Sequence, residues 1–265
     1  MNSSREKISA LIITFNEIGY IEKCIQSINF ADEIIVVDSF STDGTYEYLA
    51  NLDNVKVIQH PFDNFTLQKS FALKQASNDW VLFLDADEVV SENLKSEIIE
   101  TISSNPEHSA YWFYRKFMFQ NKSLLFSGWQ TDKNYRLFRK SRAKFSEEKL
   151  VHETLVVNGS SGILNEKLVH YCYKNFNEYK EKMISYGRLK AKESFFKENK
   201  FNYVSLVVKP AWKFLHRYFL RLGILDGQKG IIICYLDALG VLERYRELKR
   251  LENTNDLAYY LAMPE

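Results

Sequence analysis

Four short, β-branched apolar runs, each ending on polar or acidic residues, govern what the first third of this chain can fold into. Ile8 to Ile13, Ile34 to Val37, Val55 to Ile58 and Trp80 to Leu84 are continuous rather than alternating, as in strands covered on both faces. Between them lie helical patterns: Ile18, Ile21, Ile25 and Ile28 share one face, as do Leu67, Phe71 and Ala72. Strand, helix, strand at this spacing predicts right-handed βαβ units and a mostly parallel sheet. The strands run into Thr14-Phe15-Asn16-Glu17, Asp38-Ser39, His60-Pro61 and Asp85-Ala86-Asp87-Glu88. Open α/β sheets bind ligands beyond the carboxyl ends of their strands, so these four segments are expected to converge on one crevice.

Beyond Asn105-Pro106 the pattern changes. Tyr111 to Met118, Val151 to Val157 and Leu168 to Tyr173 read as antiparallel or mixed strands, and from Phe176 onward the chain reads as helix. There Phe176, Tyr179, Met183 and Tyr186 form one stripe. The expected organisation is an α/β domain over 1–175 and a helical extension over 176–265. Thirty-five Lys and Arg against thirty-four Asp and Glu leave no global field for nucleic acid. Cys24, Cys172 and Cys234 form neither a disulfide framework nor a zinc pattern, which suits a reducing compartment. No leader pattern and no apolar run of spanning length is visible, so a cytoplasmic protein is expected. Between Lys209 and Arg250, nine basic residues face four acidic ones among Trp212, Phe214, Tyr218 and Phe219. Such helices either lie in the headgroup layer of an anionic membrane or pack on the core with their charges solvated.

The sharpest chemical feature is Asp85-Ala86-Asp87, two carboxylates leaving a buried strand together. A hard divalent cation takes one or two protein carboxylates when phosphate supplies other oxygens, and it neutralises a diphosphate leaving group. Asp38 ends the second strand, where a carboxylate can accept from a base N–H. The loop after it offers Thr42 or Asp43 as a helix cap. Lys69 reads either as a phosphate contact or as a solvated helix lysine.

Ile12-Ile13-Thr14-Phe15-Asn16-Glu17, Ile35-Val36-Val37-Asp38-Ser39 with Ser41-Thr42-Asp43-Gly44-Thr45, and Leu84-Asp85-Ala86-Asp87-Glu88 resemble the amino-terminal half of family 2 glycosyltransferases. Within that family the chain looks most like the subgroup that glucosylates the inner core of bacterial lipopolysaccharide. Lys69-Ser70-Phe71-Ala72-Leu73, Asn134-Tyr135-Arg136-Leu137-Phe138-Arg139, Val151-His152-Glu153, His170-Tyr171 and Leu225-Asp226-Gly227 with Gly230 carry that likeness. The resemblance implies a GT-A fold, with a nucleotide-binding half to about residue 105 and an acceptor half over 106–175. It implies Mg²⁺ or Mn²⁺, an inverting mechanism, a nucleoside-diphosphate sugar donor with uridine favoured, and a glycolipid or lipid-linked acceptor at the inner membrane face. Thr14, Phe15, Asn16, Glu17 and Asp38 would then line the nucleoside pocket, with Asp85 and Ala86 near the ribose and sugar. Lys69 and Arg136 would face the phosphates or sugar, and Asp87 would bind the metal. His170 reads as a further metal ligand or as an ordinary half-buried histidine. Glu153 reads as the catalytic base or as an exposed strand residue. Three other readings compete: a haloacid-dehalogenase-type phosphatase using Asp85 and Asp87, a sugar nucleotidyltransferase, which would carry a Gly-rich phosphate loop where Thr14-Phe15-Asn16-Glu17 stands, and a non-catalytic scaffold on the membrane surface.

Overall fold

The computed structural model describes residues 6–104, 106–119, 122–129, 131–146, 155–173 and 176–254. The chain divides into two compact units, one of Met1–Lys116 with Thr131–Tyr171, the other of Phe117–Gln130 with Cys172–Glu265. The first unit is α/β. Its elements are β1 (Ile8–Thr14), α1 (Ile18–Ser27), β2 (Glu33–Asp38), α2 (Thr45–Ala50), β3 (Lys56–Gln59), α3 (Phe65–Gln75), β4 (Trp80–Asp85), β5 (Glu88–Val89) and α4 (Glu92–Ser103). After β6 (Ala110–Phe119) and β7 (Lys122–Ser123), the latter within the second unit, come β8 (Lys133–Arg139), β9 (Ala143–Phe145), β10 (Leu155–Val157), β11 (Ser161–Ile163) and β12 (Leu168–Tyr173).

The main sheet runs β3-β2-β1-β4-β8-β6-β12-β5, with β1, β2, β3 and β4 parallel and β8 antiparallel to β4 and β6. This is the expected GT-A architecture, a Rossmann-like parallel half joined to a mixed half. Three of the sequence-predicted strands, β1, β2 and β4, extend by one or two residues and end on the polar residues named above, while β3 is shifted one residue and stops at Gln59, just before His60. Leu11, Ile12, Ile35, Val36, Val81 and Leu82 are buried, so both sheet faces are covered, as their unbroken apolar runs require. Apolar burial of this extent drives the fold; each such side chain contributes roughly 1.5–3 kcal/mol.

Two helices of this unit depart from the sequence expectation. In α1, Ile21, Cys24 and Ile25 are buried but Ile18 is exposed, because Ile18 sits at the helix mouth where its N–H donates to Asp43. In α3 the buried residues include Thr66, Gln68 and Lys69 with Ala72 and Leu73, while Leu67 points outward. The helix turns its polar groups inward because they have partners there: Gln68 meets His60 and Ser39, and Lys69 meets Asp85.

The second unit is helical, built of α5 (Phe176–Phe196), α6 (Tyr203–Leu215) and α7 (Gln228–Thr254). Its core holds Phe117, Phe119, Leu124, Tyr179, Ile233 and Leu236. In α5 the buried stripe is Tyr179, Gly187, Ala191 and Ser194, whereas Phe176 and Tyr186 are exposed. The stripe is displaced because α5 crosses α7 at glycine: a Cβ on Gly187 would fall 2.5 Å from the Gly240 carbonyl oxygen. Gly230 is equally constrained, since a Cβ there would lie 1.8 Å from the Gly223 oxygen. Asp226 accepts from Leu125 N, Phe126 N and Ser127 Oγ, each at 3.0 Å, which accounts for Leu225-Asp226-Gly227 with Gly230 as a packing motif. Inside an exposed helix Gly→Ala is stabilising. Gly187→Ala should instead destabilise by about 1–3 kcal/mol in urea unfolding, because the added methyl overpacks the crossing. A stabilised variant would contradict this packing.

Candidate functional site

The carboxyl edge of the parallel strands assembles the site. In the sheet register Thr14 lies beside Asp38, and Ile13 beside Asp85, so the two aspartates flank the end of β1. Two strand spacings separate them, roughly 10 Å, the scale of a nucleoside. Asp38 is fully buried; its oxygens accept from Ser41 Oγ (2.5 Å), Ser41 N (3.1 Å) and Gln59 (3.3 Å), so it holds the loop after β2 in place. That loop returns to the first: Asn16, at φ +56°, donates its N–H to Ser41 Oγ and accepts from Thr42 N. Glu17 N donates to Thr45 Oγ1, and Asp43 accepts from both Ile18 N and Thr45 N. One acid therefore serves the starts of α1 and α2, while the formal cap of α2 is Gly44 rather than Thr42 or Asp43. Phe15 and Phe40 are half exposed on these two loops, and the buried Thr14 hydroxyl has no partner among the described residues.

At the end of β4 stands an ion network. Arg136, buried on β8, reaches Asp85 Oδ2 at 2.5 Å and Glu88 Oε1 at 2.6 Å. Lys69 lies 3.5 Å from Asp85 Oδ1. Glu88, fully buried, also accepts from Asp85 N at 3.1 Å and faces Arg115 at 3.6 Å. Arg115 in turn binds Asp132 through Nε at 2.6 Å and through Nη2. Burial opposes charge on Asp85, but Arg136 first and Lys69 next outweigh it and hold the carboxyl well below the usual carboxylate range. Arg136 is held above its ordinary value against its own burial, by Asp85 and Glu88. Behind the turn, burial and then the charges of Glu88, Asp87 and Asp85 push the Cys24 thiol well up, which leaves it inert.

Asp87 points to a different partner. β12 pairs with β5 so that His170 lies opposite Glu88, and Tyr171 N donates to Asp87 O at 2.9 Å. This clamp brings His170 Nε2 to 3.1 Å from Asp87 Oδ2. That is the ordinary hydrogen-bond or ion-pair separation of a carboxylate and an imidazole. By donor type, a carboxylate and an imidazole are ligands that a Mn²⁺-class ion takes, so these are the two residues that could hold one. Among the described residues no group of three or more His, Cys, Asp and Glu gathers, so phosphate oxygens and water would complete such a shell.

Thr14, Asn16, Asp38, Lys69, Asp85, Asp87, Arg136 and His170 thus come to one sheet edge. His152 and Glu153 lie outside the described residues. The sequence reading missed Glu88 and Arg115. A signal was present for Arg115, which occupies an inward position of β6 between buried Phe113 and Phe117, where an arginine requires a partner. Glu88 gave none beyond standing next to Asp87.

The profile of glycosyl transferase family 2 matches residues 9–158. An uncharacterized glycosyltransferase of Rickettsia typhi, RT0209, is 32% identical over 259 residues, covering 93% of this chain and 88% of its own. The lipopolysaccharide core biosynthesis glycosyltransferase LpsC of Rhizobium meliloti is 27% identical over 261 residues, covering 94% of this chain and 96% of its own. Among solved structures, S. aureus TarS 1-349 in complex with UDP-GlcNAc gives a TM-score of 0.46 at 17% identity, over 91% of this chain and 92% of that one.

Removing one member of a buried ion network leaves the others unpaired, at a cost of about 3–5 kcal/mol. Glu88→Leu should lose stability on that scale in urea unfolding, and Asp132→Asn, at the partly exposed end, about 1 kcal/mol or less. Equal losses would mean that Glu88 is not the hub.

Proposed function

The chain belongs to glycosyl transferase family 2 and is a glycosyltransferase, and on that premise we propose that it moves a sugar, with inversion, from a UDP-sugar to a hydroxyl of a lipopolysaccharide-core or other lipid-linked acceptor at the inner membrane face. The observation that carries this reading is the pairing of Asp87 with His170 beside the Asp85–Arg136–Lys69 cluster, at the edge that also presents Thr14 and the Asp38 loop. The likeness to LpsC along nearly the whole of both chains supports the acceptor class. Family membership displaces the phosphatase and scaffold readings.

Each residue has a task in this scheme. Phe15 and Phe40 offer ring faces to the nucleobase, and the Thr14 hydroxyl offers a polar contact. Asp38 keeps these walls in place through Ser41. Lys69 and Arg136 are the cations we assign to the diphosphate or sugar, with Asp85 holding both in place. A divalent ion held by Asp87 and His170 would supply further charge neutralisation for the departing diphosphate. Because that group leaves as an anion, no general acid is required. The acceptor hydroxyl must lose its proton as the new bond forms, and Glu153 is the carboxylate we assign to take it. Asp132, another carboxylate of this half, is committed to Arg115.

In a thermal-shift panel of nucleoside diphosphates, UDP with Mn²⁺ should raise the melting temperature while GDP and ADP leave it unchanged; ligand at 100 times its Kd adds about 2.7 kcal/mol of stability. A flat panel would remove the donor assignment. Glu153→Gln should retain the UDP shift while transfer falls by about 10²-fold or more. Undiminished turnover would place the base elsewhere.

A further inference from the structure

The outer face of α6 and of the turn after it is apolar and uncovered. Val204, Val207, Val208, Trp212, Leu215 and Phe219 recur at the spacing of one helical stripe and are 46% to 68% exposed. The opposite side, with Leu206, Phe214 and Arg217, is half-buried in the second unit. A π-turn over His216–Leu220, closed by Arg221 N donating to His216 O at 2.9 Å, adds a residue to the turn, and Leu220 stands exposed beside Phe219. Exposed apolar residues are ordinary when scattered singly; a continuous stripe marks a docking face.

Charge says what covers it. Tyr203 to Leu225 contains Lys209, Lys213, Arg217 and Arg221 and no acid. Arg217 is committed within the unit, 2.7 Å from Asp237 and donating to Ser127 O, so it is not one of the contacts the basic composition suggested. Lys209 and Arg221 are exposed. Asp226, the first acid after the stripe, is turned onto backbone N–H groups. A second copy docking through this face would set cations against cations with no acid to answer them, which disfavours self-association. An apolar, aromatic stripe bordered by cations and cleared of acids matches the headgroup layer of an anionic bilayer. Among the described residues no helix is long and apolar enough to cross a membrane, so the contact is in the plane of the surface.

We propose that the Val204–Phe219 face of α6 and its π-turn is a docking surface for an anionic phospholipid bilayer. This deepens the reading of a lipid-linked acceptor and rests on it for its purpose, but its test needs neither donor nor acceptor. The full-length protein is floated with phosphatidylcholine vesicles, with or without about one third phosphatidylglycerol. Wild type should rise with the anionic vesicles. Val207→Ser/Trp212→Ser/Phe219→Ser should cut the bound fraction about tenfold, and Lys209→Glu/Arg221→Glu should abolish the preference for anionic lipid. Wild type that stays down, or a triple variant that floats undiminished, would overturn the proposal. So would wild type that sediments as a dimer which the triple variant dissociates, since the face would then belong to a second copy. A UDP and Mn²⁺ thermal shift retained in the triple variant shows that loss of flotation is not loss of fold, and it separates failure here from failure of the transferase reading.

Discussion

The buried contact between Arg136 and its two carboxylates is the interaction on which the site depends. A guanidinium with no access to water is tolerable only where anions answer it, and Asp85 and Glu88 do so at 2.5 and 2.6 Å. That requirement draws β8 to β4 and pins the turn after β4 through the Asp85 N–H bond to Glu88, and among the described residues the Arg136 and Lys69 contacts go to Asp85 and Glu88 rather than to Asp87. Asp87 is therefore available to His170, which the pairing of β5 with β12 delivers. Two neighbouring aspartates acquire different tasks, one neutralised by protein cations and one placed beside an imidazole.

The parallel half was legible because its signals are local. Continuous β-branched runs, helical spacing between them and acids at strand ends are read within windows of ten residues, and the predicted strands proved right to within a residue or two. The failures share a cause. Leu67 was placed inward on period alone, but α3 covers a polar site, and Lys69 and Gln68 had partners that no local window contains. Tyr186 was placed on the inner stripe of α5, but the close glycine crossing with α7 moved that stripe to Gly187. Glu88 and Arg115 escaped notice for the same reason: each makes sense only once β6, β8 and the β4 turn are brought together in space.

Motif and composition carried different kinds of information. The Asp-Ala-Asp turn named a chemistry that the geometry then divided between two environments. Leu225-Asp226-Gly227 with Gly230, part of the family likeness, is a structural device: an acid capping three donors and a glycine that a carbonyl leaves no room to replace. The basic character of the last sixty residues was a blunter signal, since some of those cations are consumed in packing, as Arg217 is by Asp237. What composition could not show is the stripe of apolar side chains that α6 leaves uncovered between the remaining ones.

The central claim is that Asp87 and His170 together hold a divalent ion against a nucleoside diphosphate. Pulsed electron paramagnetic resonance of Mn²⁺ bound with UDP tests it most directly, because a coordinated imidazole nitrogen modulates the echo. The account predicts nitrogen modulation from one histidine in the wild-type protein, its loss in His170→Ala, and loss of the bound Mn²⁺ signal in Asp87→Ala. A wild-type spectrum without nitrogen modulation, or one that both substitutions leave unaltered, would contradict it.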